Sequence, residues 1–216
     1  MIKAIIFDMD GVISDTQHFH SGMDEVVLKR YGIDKTAKEL EETYAGVPVK
    51  EIYNIEFQKN NLPLNDIPGL FDERWKKIIE QAEGNIKAIQ GAIQLISKLK
   101  NKGFKLAVAS GSIRIFVEMV LRELNLTDEF DAVVTGDDVE KGKPNPDIFL
   151  LAASRLKVNP KECVVIEDGI NGMIAAKKAG MKCIGLVENN KKKDYPADLV
   201  VGELENITME VIAETE

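Results

Sequence analysis

The chain has 216 residues, 44% hydrophobic and 30% charged. These are the proportions of a soluble globular protein, and the length is enough to bury a core without a disulfide or metal staple. Twenty-eight Lys and Arg against 36 Asp and Glu leave a net charge of −8, which argues against a nucleic-acid binder and against docking on an anionic membrane.

The first seven residues are apolar apart from Lys3 but meet Asp8 before a signal-peptide core can form, and the longest apolar run, Ile148–Ala153, is only 6 residues. A cytosolic protein is expected, with Cys163 and Cys183 as buried free thiols.

In chain order, Lys3–Phe7 is a short continuous apolar run, as in a strand covered on both faces. From about Gln17 to Ala82 no strand-like run occurs. Met23, Val26, Val27 and Tyr31 mark one helical face, and Gly46-Val47-Pro48, Asn61-Leu62-Pro63 and Ile67-Pro68-Gly69 punctuate further helices. Alternation then begins. Ile93, Ile96 and Leu99 lie on one helix ending near Gly103, and Lys105–Ala109 reads as a strand. Ile113 to Leu124 follows with apolar residues at helical spacing, then Ala132–Thr135 as a strand. Pro146 suits the first turn of a helix capped by Asn145, Cys163–Ile166 and Lys182–Val187 read as strands, and Gly180 stops the helix between them. The expected fold is α/β: a Rossmann-like parallel sheet with helices on both faces, formed by 1–15 and 83–216, interrupted by an all-helical cap at 16–82.

Chemistry-bearing residues stand at the carboxyl ends of the predicted strands, where open α/β sheets bind ligands. Asp8-Met9-Asp10-Gly11-Val12 follows the first. Its opening resembles a calcium loop, but the sixth and twelfth positions counted from Asp8 are Ile13 and Phe19, so calcium is rejected. Glu167-Asp168-Gly169 follows another strand. Four carboxylates at neighbouring strand ends repel unless a cation joins them, and hard oxygen donors favour Mg²⁺. Ser110-Gly111-Ser112 offers hydroxyls and backbone N–H groups to a phosphate. Lys143, between Gly142 and Pro144, is placed to neutralise an anion. Each feature has an ordinary alternative: a surface turn for Asp8 and Asp10, helix capping for Glu167, Asp168 and Ser112, and a solvated loop for Lys143. The three-lysine run Lys191–Lys193 reads as a solvated loop.

The ordered set Asp8-Met9-Asp10-Gly11-Val12, Ser110, Lys143-Pro144-Asn145-Pro146 and Glu167-Asp168-Gly169 resembles the haloacid dehalogenase superfamily, in its phosphatase and phosphomutase branch with a helical cap. The resemblance implies Asp8 as nucleophile forming an aspartyl-phosphate, and Asp10 as general acid/base. It implies Mg²⁺ held by Asp8, the Asp10 backbone carbonyl and Asp168, with Glu167 nearby. Ser110, with Gly111, and Lys143 would hold the phosphoryl oxygens. The acid at Asp10 separates phosphate chemistry from carbon–halogen displacement.

By the same resemblance the cap closes over the site about hinges near Ser14-Asp15-Thr16 and Glu83-Gly84-Asn85, and His20 matches a histidine of β-phosphoglucomutases that touches Asp10 or substrate. His18 and His20, two apart, do not share a helix face, so they are not a metal pair. The cap turn Tyr44-Ala45-Gly46-Val47-Pro48-Val49-Lys50 departs from the mutase pattern. Ala45 and Val49 stand where mutases carry cations, and Lys50 points roughly 100° away. The expectation is therefore a Mg²⁺-dependent phosphatase for a small phosphorylated metabolite such as a sugar phosphate or phosphoglycolate, a monomer or weak dimer. The alternatives are a β-phosphoglucomutase-type mutase and, more remotely, a non-enzymatic phospho-accepting signalling module.

Overall fold

The computed structural model describes residues 1–44, 49–187 and 194–214. The cap-turn residues Ala45 to Pro48 and the Lys191–Lys193 run lie outside them. Six strands form one parallel sheet: β1 (Ala4–Phe7), β2 (Lys105–Ala109), β3 (Ala132–Val134), β4 (Cys163–Glu167), β5 (Lys182–Leu186) and β6 (Leu199–Val201), in the order β3-β2-β1-β4-β5-β6. The helices are α1 (Gln17–Lys29), α2 (Ala37–Tyr44), α3 (Val49–Lys59), α4 (Ile67–Ala82), α5 (Ala92–Asn101), α6 (Arg114–Glu123), α7 (Asp147–Leu156), α8 (Ile170–Lys178) and α9 (Met209–Glu214).

The chain divides into two compact units, Met1–Asp15 with Ile86–Glu216, and Thr16–Asn85. The first is the α/β core. Its central strands are buried throughout because both sheet faces are covered, which is why they read as unbroken apolar runs. Successive residues point to opposite faces. Ala4, Ile6, Ala107, Val165 and Cys183 share one buried cluster with Ile148, Phe149 and Ala152 of α7 and Met173 and Ala176 of α8. Both cysteines are buried and unpaired with each other, and burial pushes the thiols up to about 11 for Cys163 and about 12 for Cys183. Register sets the heights of the strand ends. Phe7 lies opposite Val108 on β2 and Ile166 on β4, so the residues that follow emerge side by side. The order reverses at β1, since β2 and β3 extend to one side and β4 to β6 to the other.

The chain leaves the core at Asp15 and returns at Ile86 through two paired segments. Ser14 bridges Ala88 in antiparallel fashion, the Asp15 N–H donates to Lys87 C=O at 2.9 Å, and the Ile89 N–H donates to Ile13 C=O at 2.9 Å. The second unit is helical, α1 to α4 with a 3-10 turn at Leu64–Asp66, around buried Met23, Val27, Leu28, Tyr53, Phe57, Leu70 and Ile78. Its interior also buries charge. Arg74 donates to Asp24 at 2.7 Å, and the Tyr53 hydroxyl donates to the same oxygen at 2.5 Å.

Several local expectations are corrected. Val26 and Ile93 are exposed, and the buried stripes run through Met23, Val27 and Leu28 and through Ala92, Leu95, Ile96 and Leu99, one step round each helix. Asn145 does not cap α7; its amide donates to Gly142 C=O at 3.0 Å, and Pro146 holds the cap position. Pro68-Gly69 opens α4 rather than interrupting it, because proline is tolerated in a first turn. Gly180, at φ +73°, does stop α8. β6 escapes the sequence reading because it is a three-residue edge strand of intermediate burial.

Beside the edge strand β3, Asp138 accepts from the Thr135 N–H at 2.8 Å and hydroxyl at 3.0 Å, from Arg114 at 2.5 Å and from Arg155 at 2.8 Å. Burial opposes its ionisation, but these donors outweigh burial and hold the carboxyl well below the usual range. Asp138→Ala is expected to cost about 1–3 kcal/mol in urea unfolding at pH 7. A depressed folded-state pKa stabilises above the unfolded value of about 3.9 and is lost as pH falls through the lower folded one. The wild-type advantage should therefore be complete at neutral pH and shrink on acidification below about pH 5.

Candidate active site

The site grows from the ends of β1, β2 and β4. After Phe7 the backbone turns at once: the Gly11 N–H donates to Ser14 C=O at 2.8 Å and the Ser14 N–H to Met9 C=O at 3.0 Å. Gly11 sits at φ +86°, and a Cβ there would lie 2.2 Å from an Asp168 oxygen, so the turn requires glycine for both conformation and space. This turn leaves Asp8 buried at the strand end and Asp10 half-buried beyond it.

Asp8, Glu167 and Asp168 each present a carboxylate oxygen within 4.8 Å of the others. The Lys143 ammonium lies between two of them, donating to Asp8 at 2.5 Å and to Glu167 at 2.7 Å. The other oxygen of Glu167 accepts the Gly169 N–H at 2.7 Å, so the carboxylate is fixed at both ends. Gly172, on the first turns of α8, makes room for it: a Cβ there would lie 1.6 Å from Glu167 Oε1. Burial pushes the Asp8 carboxyl well above the usual range, with Glu167, Asp168 and Asp10 adding to the push and Lys143 opposing it. For Lys143, burial alone would favour the neutral amine, but Asp8 and Glu167 outweigh it and hold the ammonium charged.

The donor set fits a hard divalent cation. All three groups are carboxylates, the hard oxygen donors that such a cation prefers, and their oxygens lie close enough together to share one ion. A dication among them would oppose the upward push on the Asp8 carboxyl.

The Asp10 side chain is not in this acidic group. Its Oδ2 accepts from the Ser112 hydroxyl at 2.8 Å and the Ser110 hydroxyl at 3.2 Å. Ser110 is thus at the site through Asp10, with Gly111 exposed beside it. Ser112 does not take the helix-cap role that its position after β2 also allows. Instead α6 begins after Ile113 with no cap from its own side chains, and the Arg114 N–H goes to Asp137 at 2.8 Å. The core therefore brings together Asp8, Asp10, Ser110, Gly111, Lys143, Glu167 and Asp168. His20 belongs to the helical unit, where Nδ1 lies 3.4 Å from Arg74 Nη2 and the ring packs edge-on against Trp75.

Comparison with known proteins places this geometry. Residues 5–186 match the sequence profile of the haloacid dehalogenase-like hydrolases. The chain is 34% identical over 185 residues to the phosphorylated carbohydrates phosphatase of Thermotoga maritima, covering 85% of this chain and 84% of that one. A β-phosphoglucomutase from Clostridium difficile superposes with a TM-score of 0.86 at 28% identity, over 100% of this chain and 97% of that one. CbbY from Rhodobacter sphaeroides, solved with xylulose-(1,5)bisphosphate, gives 0.79 at 30% identity, over 95% and 96% of the two chains. With a helical insertion between β1 and β2 of a six-stranded parallel sheet, the chain belongs to the haloacid dehalogenase-like hydrolases, in the capped subfamily of β-phosphoglucomutase and CbbY.

Proposed function

We propose that the protein is a Mg²⁺-dependent phosphatase that hydrolyses a small phosphorylated metabolite, a sugar phosphate or a compound like phosphoglycolate, through a phosphoryl group carried on Asp8. The observation that carries this reading is the division of labour among carboxylates. Asp8, Glu167 and Asp168 cluster together, with Lys143 bonded to the first two, whereas the Asp10 side chain accepts from two hydroxyls. Carboxylates in such different surroundings suit different tasks, one as nucleophile and one as proton carrier.

In the first half-reaction an Asp8 oxygen attacks phosphorus, the bond from phosphorus to the leaving oxygen breaks, and Asp10 gives that oxygen its proton. In the second, Asp10 takes a proton from water as the water oxygen attacks phosphorus, and inorganic phosphate leaves as Asp8 is restored. Lys143 stays charged throughout and meets the charge on the equatorial oxygens. Mg²⁺, held by Asp8, Asp168, the Asp10 carbonyl and nearby Glu167, would supply further neutralisation of that charge. Cytosolic operation fits the two buried thiols, which burial keeps protonated.

A second reading is a phosphomutase, favoured by the likeness to β-phosphoglucomutase. Against it, the sequence places Ala45 and Val49 at the cap-turn positions where mutases carry cations. The two predict different products. Pure protein with Mg²⁺ should release inorganic phosphate from members of a phosphate-ester panel and lose this activity in EDTA; conversion of β-glucose 1-phosphate to glucose 6-phosphate in the presence of the bisphosphate would decide for the mutase. No turnover of either kind sinks both.

Asp8→Asn should abolish activity while circular dichroism stays native, and retained turnover would refute Asp8 as nucleophile. Asp10→Asn should slow turnover by about 10²–10⁴-fold, the usual scale of lost acid/base catalysis, and a near-normal rate would move that role elsewhere.

A further inference from the structure

We infer that Asp137 is a positioning residue for Asp10, acting through Ser112. The inference rests on the reading of Asp10 as the acid/base group.

Ser110 and Ser112 both donate to the same Asp10 oxygen, but they are differently engaged. The Ser110 oxygen also accepts the N–H two residues on, from Ser112, at 3.1 Å, and its bond to Asp10 is 3.2 Å. Such a turn ties a hydroxyl oxygen to its own loop. Ser112 stands in the same relation to the Arg114 N–H, the first of the orphan donors of α6. That N–H goes instead to the Asp137 carboxylate at 2.8 Å, and the Ser112 bond to Asp10 is correspondingly shorter, at 2.8 Å. Asp137 thus caps α6 from a neighbouring loop, so the Ser112 oxygen is not drawn into a turn of its own loop as the Ser110 oxygen is.

The turn that carries Asp137 is built against the serine loop. The Gly136 N–H donates to Ser112 C=O at 2.9 Å, and a Cβ on Gly136 would lie 2.5 Å from Gly111 C=O, so only glycine lets the two backbones approach so closely. Asp138 anchors the far end of the turn through Thr135, Arg114 and Arg155. The serine loop and the Asp137 turn are therefore joined backbone to backbone, and Asp10 accepts from both serines. Without Asp137, the Ser112 oxygen is expected to turn to the Arg114 N–H, as Ser110 does to that of Ser112, and to loosen its hold on Asp10.

The test uses the full chain with Mg²⁺ and two substrates, p-nitrophenyl phosphate and the best sugar phosphate of the panel. The sugar leaving group needs its proton; p-nitrophenolate scarcely does. Asp137→Ala should lower kcat/KM for the sugar phosphate about three- to tenfold, and markedly less for p-nitrophenyl phosphate. Asp137→Asn keeps a carbonyl acceptor and should retain most of the activity. In the Ser112→Ala background, Asp137→Ala should cost little more, because the two act as one unit. Asp137 is exposed, so the fold should survive, with circular dichroism as the check. Equal losses on both substrates, full additivity with Ser112→Ala, or an unaffected Asp137→Ala beside an impaired Ser112→Ala would each overturn the inference. If Asp10→Asn is itself unimpaired, the acid/base reading falls and takes the inference with it.

Discussion

Everything at this site follows from the cost of crowding carboxylates at the end of a buried strand. Asp8, Glu167 and Asp168 lie within reach of one another, with Asp8 and Glu167 almost wholly removed from water. Ionised groups in that position repel and lose hydration, and the Lys143 ammonium, paired with Asp8 and Glu167, offsets part of the penalty. The fold tolerates the arrangement because its geometry is imposed from elsewhere. β1 and β4 pair in a register that sets Asp8 beside Glu167, and the backbone grips Glu167 through Gly169. The glycines at 11 and 172 yield the space that Asp168 and Glu167 fill. Three hard oxygen donors so close together are the physical ground for the proposed cation, which would reconcile an acidic chain with the proposed phosphate substrate.

A second constraint keeps Asp10, the proposed proton carrier, apart from that crowd. Asp10 is two residues from Asp8, on the same turn, yet its side chain is bound to hydroxyls at the end of β2. Hydroxyl donors hold a carboxylate in place without neutralising it, as a lysine would. One short turn therefore presents two acids in contrasting surroundings. The contrast is sustained by Ser110 and Ser112, and behind them by the loop that follows β3.

Much of this was legible in the sequence. Continuous apolar runs located five of the six strands because a sheet covered on both faces needs them, and the residues immediately after those runs are the ones the fold assembles. What could not be read was which of several available partners a polar side chain takes. Asn145 and Ser112 both look like caps locally, but Asn145 turns back to its own loop, and Ser112 is claimed by Asp10, 102 positions away. Val26 and Ile93 failed differently. At helical spacing two adjoining stripes satisfy the same periodicity, and only the neighbouring elements choose between them. β6 is too short to impose a pattern.

The paired segments through which the chain leaves and re-enters the core carry one more consequence. Because Ser14 bridges Ala88 and Asp15 bonds to Lys87, the two ends of the helical insertion are pinned side by side by the core's own hydrogen bonds. For the core, the whole insertion is one surface loop whose closure cost grows only with the logarithm of its length. By this closure term alone, a change in the insertion's length costs the core little. The helical unit can then lengthen or shorten while the strand ends that hold Asp8 and Asp10 stay fixed.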